Sequence, residues 1–129
     1  LHLMGNIHYI LKQNTDGIRE QELIINKARL LFRANITSDF SPEQAADALQ
    51  VGYSWFRKAF KNYTGLSPFQ YYLQLKIERA KELLNDPNVP IKEIAYSLRF
   101  ESSFYFSKIF REKTGFSPTG YRKRAQGEI

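Results

Sequence analysis

Two short stretches of this 129-residue chain carry side chains suited to binding a polyanion. Over about 53–64, the positions off the apolar stripe are Ser54, Arg57, Lys58, Lys61 and Asn62. Over about 102–114 they are Ser103, Ser107, Lys108, Arg111 and Lys113. All are hydrogen-bond donors and most are cations; the first set has no acid beside it, the second only Glu112. An ordinary solvated face mixes both signs. Arginine and lysine reach guanine O6 and N7 in a major groove, and phosphates anywhere on the backbone. Bond-making chemistry lacks its parts: there is no cysteine, no Ser/His/Asp or paired-carboxylate arrangement, and no glycine-rich phosphate loop. The only histidines, His2 and His8, stand six apart, where a helical metal pair wants about three or four. The expectation is a binding protein without catalysis, metal or cofactor.

The elements that present these donors occur twice. Phe56, Lys58, Phe60, Thr64, Gly65, Ser67, Pro68 and Tyr71 recur 50 residues later as Phe106, Lys108, Phe110, Thr114, Gly115, Ser117, Pro118 and Tyr121. Two copies are too few for a solenoid, which needs at least about three, but suit a device gripping two stretches of one partner. Every segment reads as helix. Over about 21–34 the spacing puts Leu23, Ala28, Leu30 and Leu31 near one face. Ser41-Pro42 with Gln44 reads as a capping box opening a short helix, about 42–49, with Ala45, Ala46 and Leu49 inward. The helix at about 53–64 turns Phe56, Ala59, Phe60 and Tyr63 inward and stops at Gly65. Ser67-Pro68 caps a longer helix, about 68–84, roughly 25 Å long, striped by Leu73, Ile77, Ala80 and Leu84. A turn at Asn85–Asn88 leads to a short helix at about 90–98, with Ile91, Ile94, Ala95 and Leu98 inward. The helix at about 102–114 repeats the Phe106/Phe110 stripe, and Ser117-Pro118 caps a last one ending in Arg122-Lys123-Arg124. Ala46, Leu49 and Val51 match Ala95, Leu98 and Phe100 at an offset of 49, so the second short-to-long turn is one residue longer.

The net charge of +6 follows the repeat. Residues 52–81 carry +5 and residues 92–124 carry +5, with −2 between them and −1 over residues 1–51. That is the electrostatic footprint of a polyanion binder with two contact zones. No apolar run approaches the roughly 18 residues of a membrane span, so no membrane partner is expected. A short helix, a tight turn and a second helix make a helix-turn-helix, whose second helix fits the major groove of B-DNA. A basic helical adaptor for an acidic protein would share the helical pattern; the donor-rich outward faces favour DNA. RNA suits these faces less, because the A-form major groove is deep and narrow.

From Ser41 to Tyr121 the chain resembles the DNA-binding domain of the AraC/XylS family of bacterial transcription regulators. The resemblance is carried by Ile91-Lys92-Glu93-Ile94-Ala95, by Phe100 through Phe110, by Thr114-Gly115-Phe116-Ser117-Pro118 and Tyr121-Arg122, and by the first copy with the connector Lys76-Ile77-x-Arg79-Ala80-x-x-Leu83-Leu84. It implies an all-α, seven-helix tandem helix-turn-helix: a first unit at about 21–67, a linker helix at about 68–84 and a second unit at about 85–124. It implies double-stranded DNA as partner, with two readers in successive major grooves about 34 Å apart. Carried over by position, the base-facing residues are Ser54, Arg57 and Lys58 in the first reader and Ser103, Phe104, Ser107 and Lys108 in the second. Phe104 departs from the small polar residue often found there; it either meets a thymine methyl or turns into the core. Phosphate contacts fall to Tyr53, Trp55, Lys61, Asn62, Ser102, Tyr105, Arg111 and Lys113, with Arg122 and Lys123 solvated or phosphate-facing. Gln50 and Arg99 stand where the family often has glycine, and a left-handed backbone there costs about 1 kcal/mol.

The resemblance further implies a cytoplasmic regulator, an activator contacting RNA polymerase or a repressor using the same module. Such domains usually follow a sensory domain, and the opening Leu1 reads as part of a longer chain. Residues 1–20 carry Leu1, Leu3, Ile7, Ile10 and Leu11 at helical spacing, and Asn14-Thr15-Asp16-Gly17 reads as a turn or linker. The expectation is an extra N-terminal helical segment from a missing sensory domain, mediating a homodimer; the alternative is that it folds back onto the next helix and fills the core.

Overall fold

Three residue patterns start and stop the helices of this chain, and a computed structural model shows each in place. It describes residues 2–127, with side chains from residue 17 onward. Among the described residues there are seven helices and no strand: α1 (His2–Ala34), α2 (Pro42–Ala48), α3 (Tyr53–Thr64), α4 (Pro68–Leu84), α5 (Ile91–Ser97), α6 (Ser103–Thr114) and α7 (Pro118–Ala125).

The first pattern opens α2. Ser41 Oγ accepts the Gln44 N–H at 3.2 Å, while Gln44 Oε1 accepts the Ser41 N–H at 2.8 Å, and Pro42 takes the first turn. The second is the repeated Thr-Gly-x-Ser-Pro. Thr64 Oγ1 donates to the Phe60 carbonyl at 2.8 Å and accepts the Leu66 N–H at 3.2 Å. Gly65 takes φ 82°, and Ser67 Oγ caps α4 through the Gln70 N–H. In the second copy Thr114, Gly115 (φ 84°) and Ser117 do the same for α6 and α7. Five residues thus end one helix and begin the next with local bonds alone.

The third pattern is the turn inside each helix-turn-helix. After α2, the Val51 N–H donates to the Ala46 carbonyl and the Gln50 N–H to Asp47; after α5, Phe100 donates to Ala95 and Arg99 to Tyr96. This is a Schellman ending, whose penultimate residue must be left-handed. Gln50 (φ 58°) and Arg99 (φ 60°) occupy it. The second turn is one residue longer, as the offsets require: Gly52 precedes α3 without a side-chain cap, while Ser102 caps α6 by accepting the Tyr105 N–H at 3.0 Å.

Two cores lie along α4. The first gathers Ile25, Ala28, Phe32, Ala45, Ala46, Phe56, Ala59, Phe60 and Tyr72; the second gathers Leu73, Ile77, Ala80, Leu84, Ile94, Ala95, Leu98, Phe106, Ile109 and Phe110. The repeated residues pack alike: Phe56–Phe60 and Phe106–Phe110 both lie at 5.7 Å, and Phe60–Tyr71 and Phe110–Tyr121 meet edge-on at 5.2 and 5.4 Å.

Three expectations are corrected. Asn14–Gly17 is not a turn, because α1 runs through it. A glycine costs a helix interior about 1 kcal/mol, which a 33-residue helix absorbs. The apolar residues proposed for residues 1–11 have no described side chains, and Leu1 lies outside the described residues. Leu23 and Leu30 do not share a face with Ala28: they are 59% and 67% exposed, while Ala28 is buried. The buried stripe is Ile25, Ala28 and Phe32, and at 100° per residue Leu23 and Leu30 point to the opposite side. Tyr63 is also exposed, and its hydroxyl donates to the Ile18 carbonyl at 2.9 Å.

Candidate nucleic-acid interface

The buried stripe of α3 is Phe56, Ala59 and Phe60, so its opposite face carries Ser54, Arg57, Lys58 and Lys61, all exposed. The buried stripe of α6 is Phe106, Ile109 and Phe110, so the corresponding face carries Phe104, Ser107, Lys108 and Arg111. Both stripes follow the i, i+3, i+4, i+7 rule of one helical face. The two faces are the same residues of the repeat, read 50 positions apart. Among the described residues the ion pairs are Arg79–Glu82 and Lys81–Glu78, both within α4. The cations of α3 and α6 are left with unpaired charge facing water.

The flanks differ. Asn62 is exposed beside Lys58, and Trp55 is 37% exposed beside Ser54. Tyr53 is half-buried against the first core; burial raises its pKa, and the neighbouring Glu43 raises it further by charge and a hydrogen bond. Tyr105 is half-buried with its ring 6.1 Å from Phe100. Ser102 is exposed, and its oxygen serves the α6 cap. Ser103 is half-buried, to one side of the outward stripe. Phe104 is 80% exposed on the stripe itself, which removes the alternative of a core position. Lys113 lies on the other side of α6, where Nζ donates to Gln70 Oε1 of α4 at 2.7 Å.

Arg122 corrects a further expectation. It is neither solvated nor free: Nε donates to the Leu84 carbonyl at 3.1 Å and Nη2 to the Val89 carbonyl at 2.6 Å. It closes the C-terminus of α4 onto the following loop, satisfying carbonyls that a helix end leaves bare. Lys123 remains exposed, and Arg124 lies 4.6 Å over the Phe116 ring. Sequence reasoning also missed Lys76, which α4 buries to 9% exposure beneath the Tyr72 and Phe100 rings. Desolvation lowers its pKa, countered by the charge of Asp39. The available signal was its place three residues after Leu73 on the apolar stripe of α4, beside Ile77 and Ala80.

No helix of the described residues is long and apolar enough to cross a membrane. The arrangement offers two donor-rich faces on matched helices joined by α4, which is geometry for binding a polyanion at two places.

A family model described as a helix-turn-helix domain matches residues 45–124. The chain is 31% identical over 116 residues to the transcriptional regulator YidL of Escherichia coli K12, covering 89% of this chain and 39% of that protein. It is 37% identical over 93 residues to the transcriptional activator RhaR of Pectobacterium carotovorum, covering 72% of this chain and 33% of that protein. It thus spans under two-fifths of the length of either relative. Among solved structures, an AraC-type DNA-binding-domain regulator from Chromobacterium violaceum superposes with a TM-score of 0.75 at 28% identity, covering 83% of this chain and 96% of that one. The chain belongs to the AraC-type helix-turn-helix family, whose members are DNA-binding transcription regulators and not enzymes.

Proposed function

We propose that this chain binds duplex DNA sequence-specifically, with α3 and α6 in successive major grooves on one face of the helix, and that the protein to which it belongs is a cytoplasmic transcription activator contacting RNA polymerase. The observation that carries the reading is the pair of matched outward stripes, Ser54/Arg57/Lys58/Lys61 and Phe104/Ser107/Lys108/Arg111, with no ion pair on either among the described residues. Ser54, Arg57 and Lys58 read bases in the first groove, and Ser103, Phe104, Ser107 and Lys108 in the second. Lys61, Asn62, Arg111 and the flanking Tyr53, Trp55, Ser102 and Tyr105 hold phosphates. Phosphate contacts set register and base contacts set sequence. The second reader has Ser107 where the first has Arg57, so it adds affinity more than sequence choice.

Selection from a random duplex library tests DNA binding and returns the site together. The expected site spans two major grooves about ten base pairs apart between centres. A footprint confined to one groove makes the second unit scaffold. The activator assignment draws on the likeness to RhaR; a promoter reporter carrying the selected site rises with an activator and falls with a repressor. Self-association belongs to residues 1–20 at the N-terminal end of α1, where Ile18 is exposed. Sedimentation of this chain beside one starting at Arg19 tests it: two monomers end the idea.

A further inference from the structure

We propose that the loop at residues 35–40 and the turn at Arg99–Phe100 form a clasp that fixes the second reader's phase against the first, making Arg99 and Lys76 determinants of the half-site spacing the protein accepts. The proposal rests on α3 and α6 being groove readers; the clasp itself rests on geometry.

Helix α4 joins the two units, and a single rod leaves bending and twisting about its axis. The structure has a second connection away from that axis. Arg99 Nε donates to the Thr37 carbonyl at 3.1 Å, across 62 residues of sequence. Ile36, on the same loop, packs against the second core although the loop follows α1 of the first unit. The loop is pinned at its start by Tyr72, whose hydroxyl donates to the Asn35 carbonyl at 2.6 Å. Lys76 fills the seam, with Nζ 4.5 Å from the centre of the Tyr72 ring and 5.6 Å from that of Phe100. Tyr72 belongs to the first core, and Phe100 packs on the second. One ammonium therefore touches an aromatic ring of each unit, a favourable pairing where water is excluded. The charge of Asp39 favours the ammonium, and that of Arg99 opposes it.

Arg99 holds φ 60°, a conformation glycine adopts freely and arginine does not. The strain is accepted at a position whose side chain reaches the other unit. On DNA, one base pair moves a half-site by about 3.4 Å and turns it by about 34–36°. A hinged pair of readers follows such a change; a clasped pair loses contacts.

The experiment has one arm without DNA and one with it. The chain has no cysteine, so Asp47→Cys with Lys92→Cys places spin labels at two exposed sites, one in each unit. The parent should give one narrow distance distribution, and Arg99→Gly or Lys76→Met should broaden it. Arg99→Gly relieves the backbone and Lys76→Met keeps the buried stem, so both retain the fold, checked by thermal melting. In the second arm the selected duplex is lengthened or shortened by one base pair between half-sites. The parent should lose about tenfold or more in affinity, and each variant about threefold or less, with base preference in each half-site unchanged. Unchanged distance widths and spacing penalties in both variants overturn the clasp. Broadened distances in a protein whose parent binds no duplex keep the mechanical clasp but sink the groove reading, and with it any role for Arg99 in spacing.

Discussion

Gln50 and Arg99 sit at the same position of two Schellman endings, 49 residues apart, with φ of 58° and 60°. Neither is glycine, so each turn carries a left-handed penalty. Gln50→Gly should raise stability by up to about 1 kcal/mol, the strain relieved less the added chain entropy. Arg99→Gly should gain less by about 1 kcal/mol, because it also deletes the bond to Thr37. Urea midpoints of the two variants measure the difference, and equal gains would leave that bond without a stabilising share.

Arg57→Ala should cost about 1–3 kcal/mol on the best site and flatten preference at one base pair. Lys61→Ala, one turn further along the same exposed stripe, should weaken all sequences alike. Binding across a site library separates them, and identical profiles would undo the division between base reader and phosphate clamp.

Binding should weaken steeply with salt. About ten phosphate contacts give a log–log slope near −9, and each clamp variant, such as Arg111→Ala, should reduce it by about 1. A flat titration between low and moderate salt contradicts the two basic blocks as a DNA footprint.

Phe104 presents an apolar ring at 80% exposure on a face otherwise polar. If it meets a thymine methyl, replacing that thymine by deoxyuridine should cost the parent about 1 kcal/mol and Phe104→Ala almost nothing. Scanning deoxyuridine through the selected site makes the comparison; an equal loss in both proteins moves Phe104 off the base.

Tyr72 adds a pH dependence. Burial pushes its pKa up to about 12, with the charge of Asp39 adding to the rise. A group whose folded pKa is raised lends stability below its unfolded value and loses it as pH climbs through the folded one. The contribution is therefore present below about pH 10 and lost between about 10 and 12. Tyr72→Phe should cost about 1 kcal/mol at neutral pH through the bond to Asn35, and the parent's advantage should shrink across that alkaline window. Urea titrations of both proteins at a series of pH values test the convergence.

Helices α2 to α7 were legible because their signals are local: Ser41 with Gln44, Thr64 with Gly65, and Ser67 with Pro68 act within four residues of one another. The outward positions of α3 and α6 followed from the same periodicity. In α1 the pattern allowed two answers, since Leu23 and Leu30 make as regular a stripe as Ile25 and Phe32, and only the neighbouring helices choose. Asn14–Gly17 resembled a turn because its residues are poor helix formers, and propensity is a weak prior inside a long helix. Arg122, Lys113 and Arg99 were illegible for a different reason. Their partners, Leu84 and Val89, Gln70, and Thr37, lie 33 to 62 residues away, and three of the four bonds to these partners end on backbone carbonyls, which leave no mark in a side-chain pattern. The left-handed backbone at Gln50 and Arg99 came from the family resemblance and not from the residue types.

Tyr72 and Leu73 are neighbours on α4, yet one is buried in the first core and the other in the second. Melting either core frees a stretch of helix that the other core needs intact. The two units, though each has its own reader and its own aromatic cluster, are thereby coupled in unfolding: heat should remove them in one calorimetric transition, with no half-folded species accumulating between.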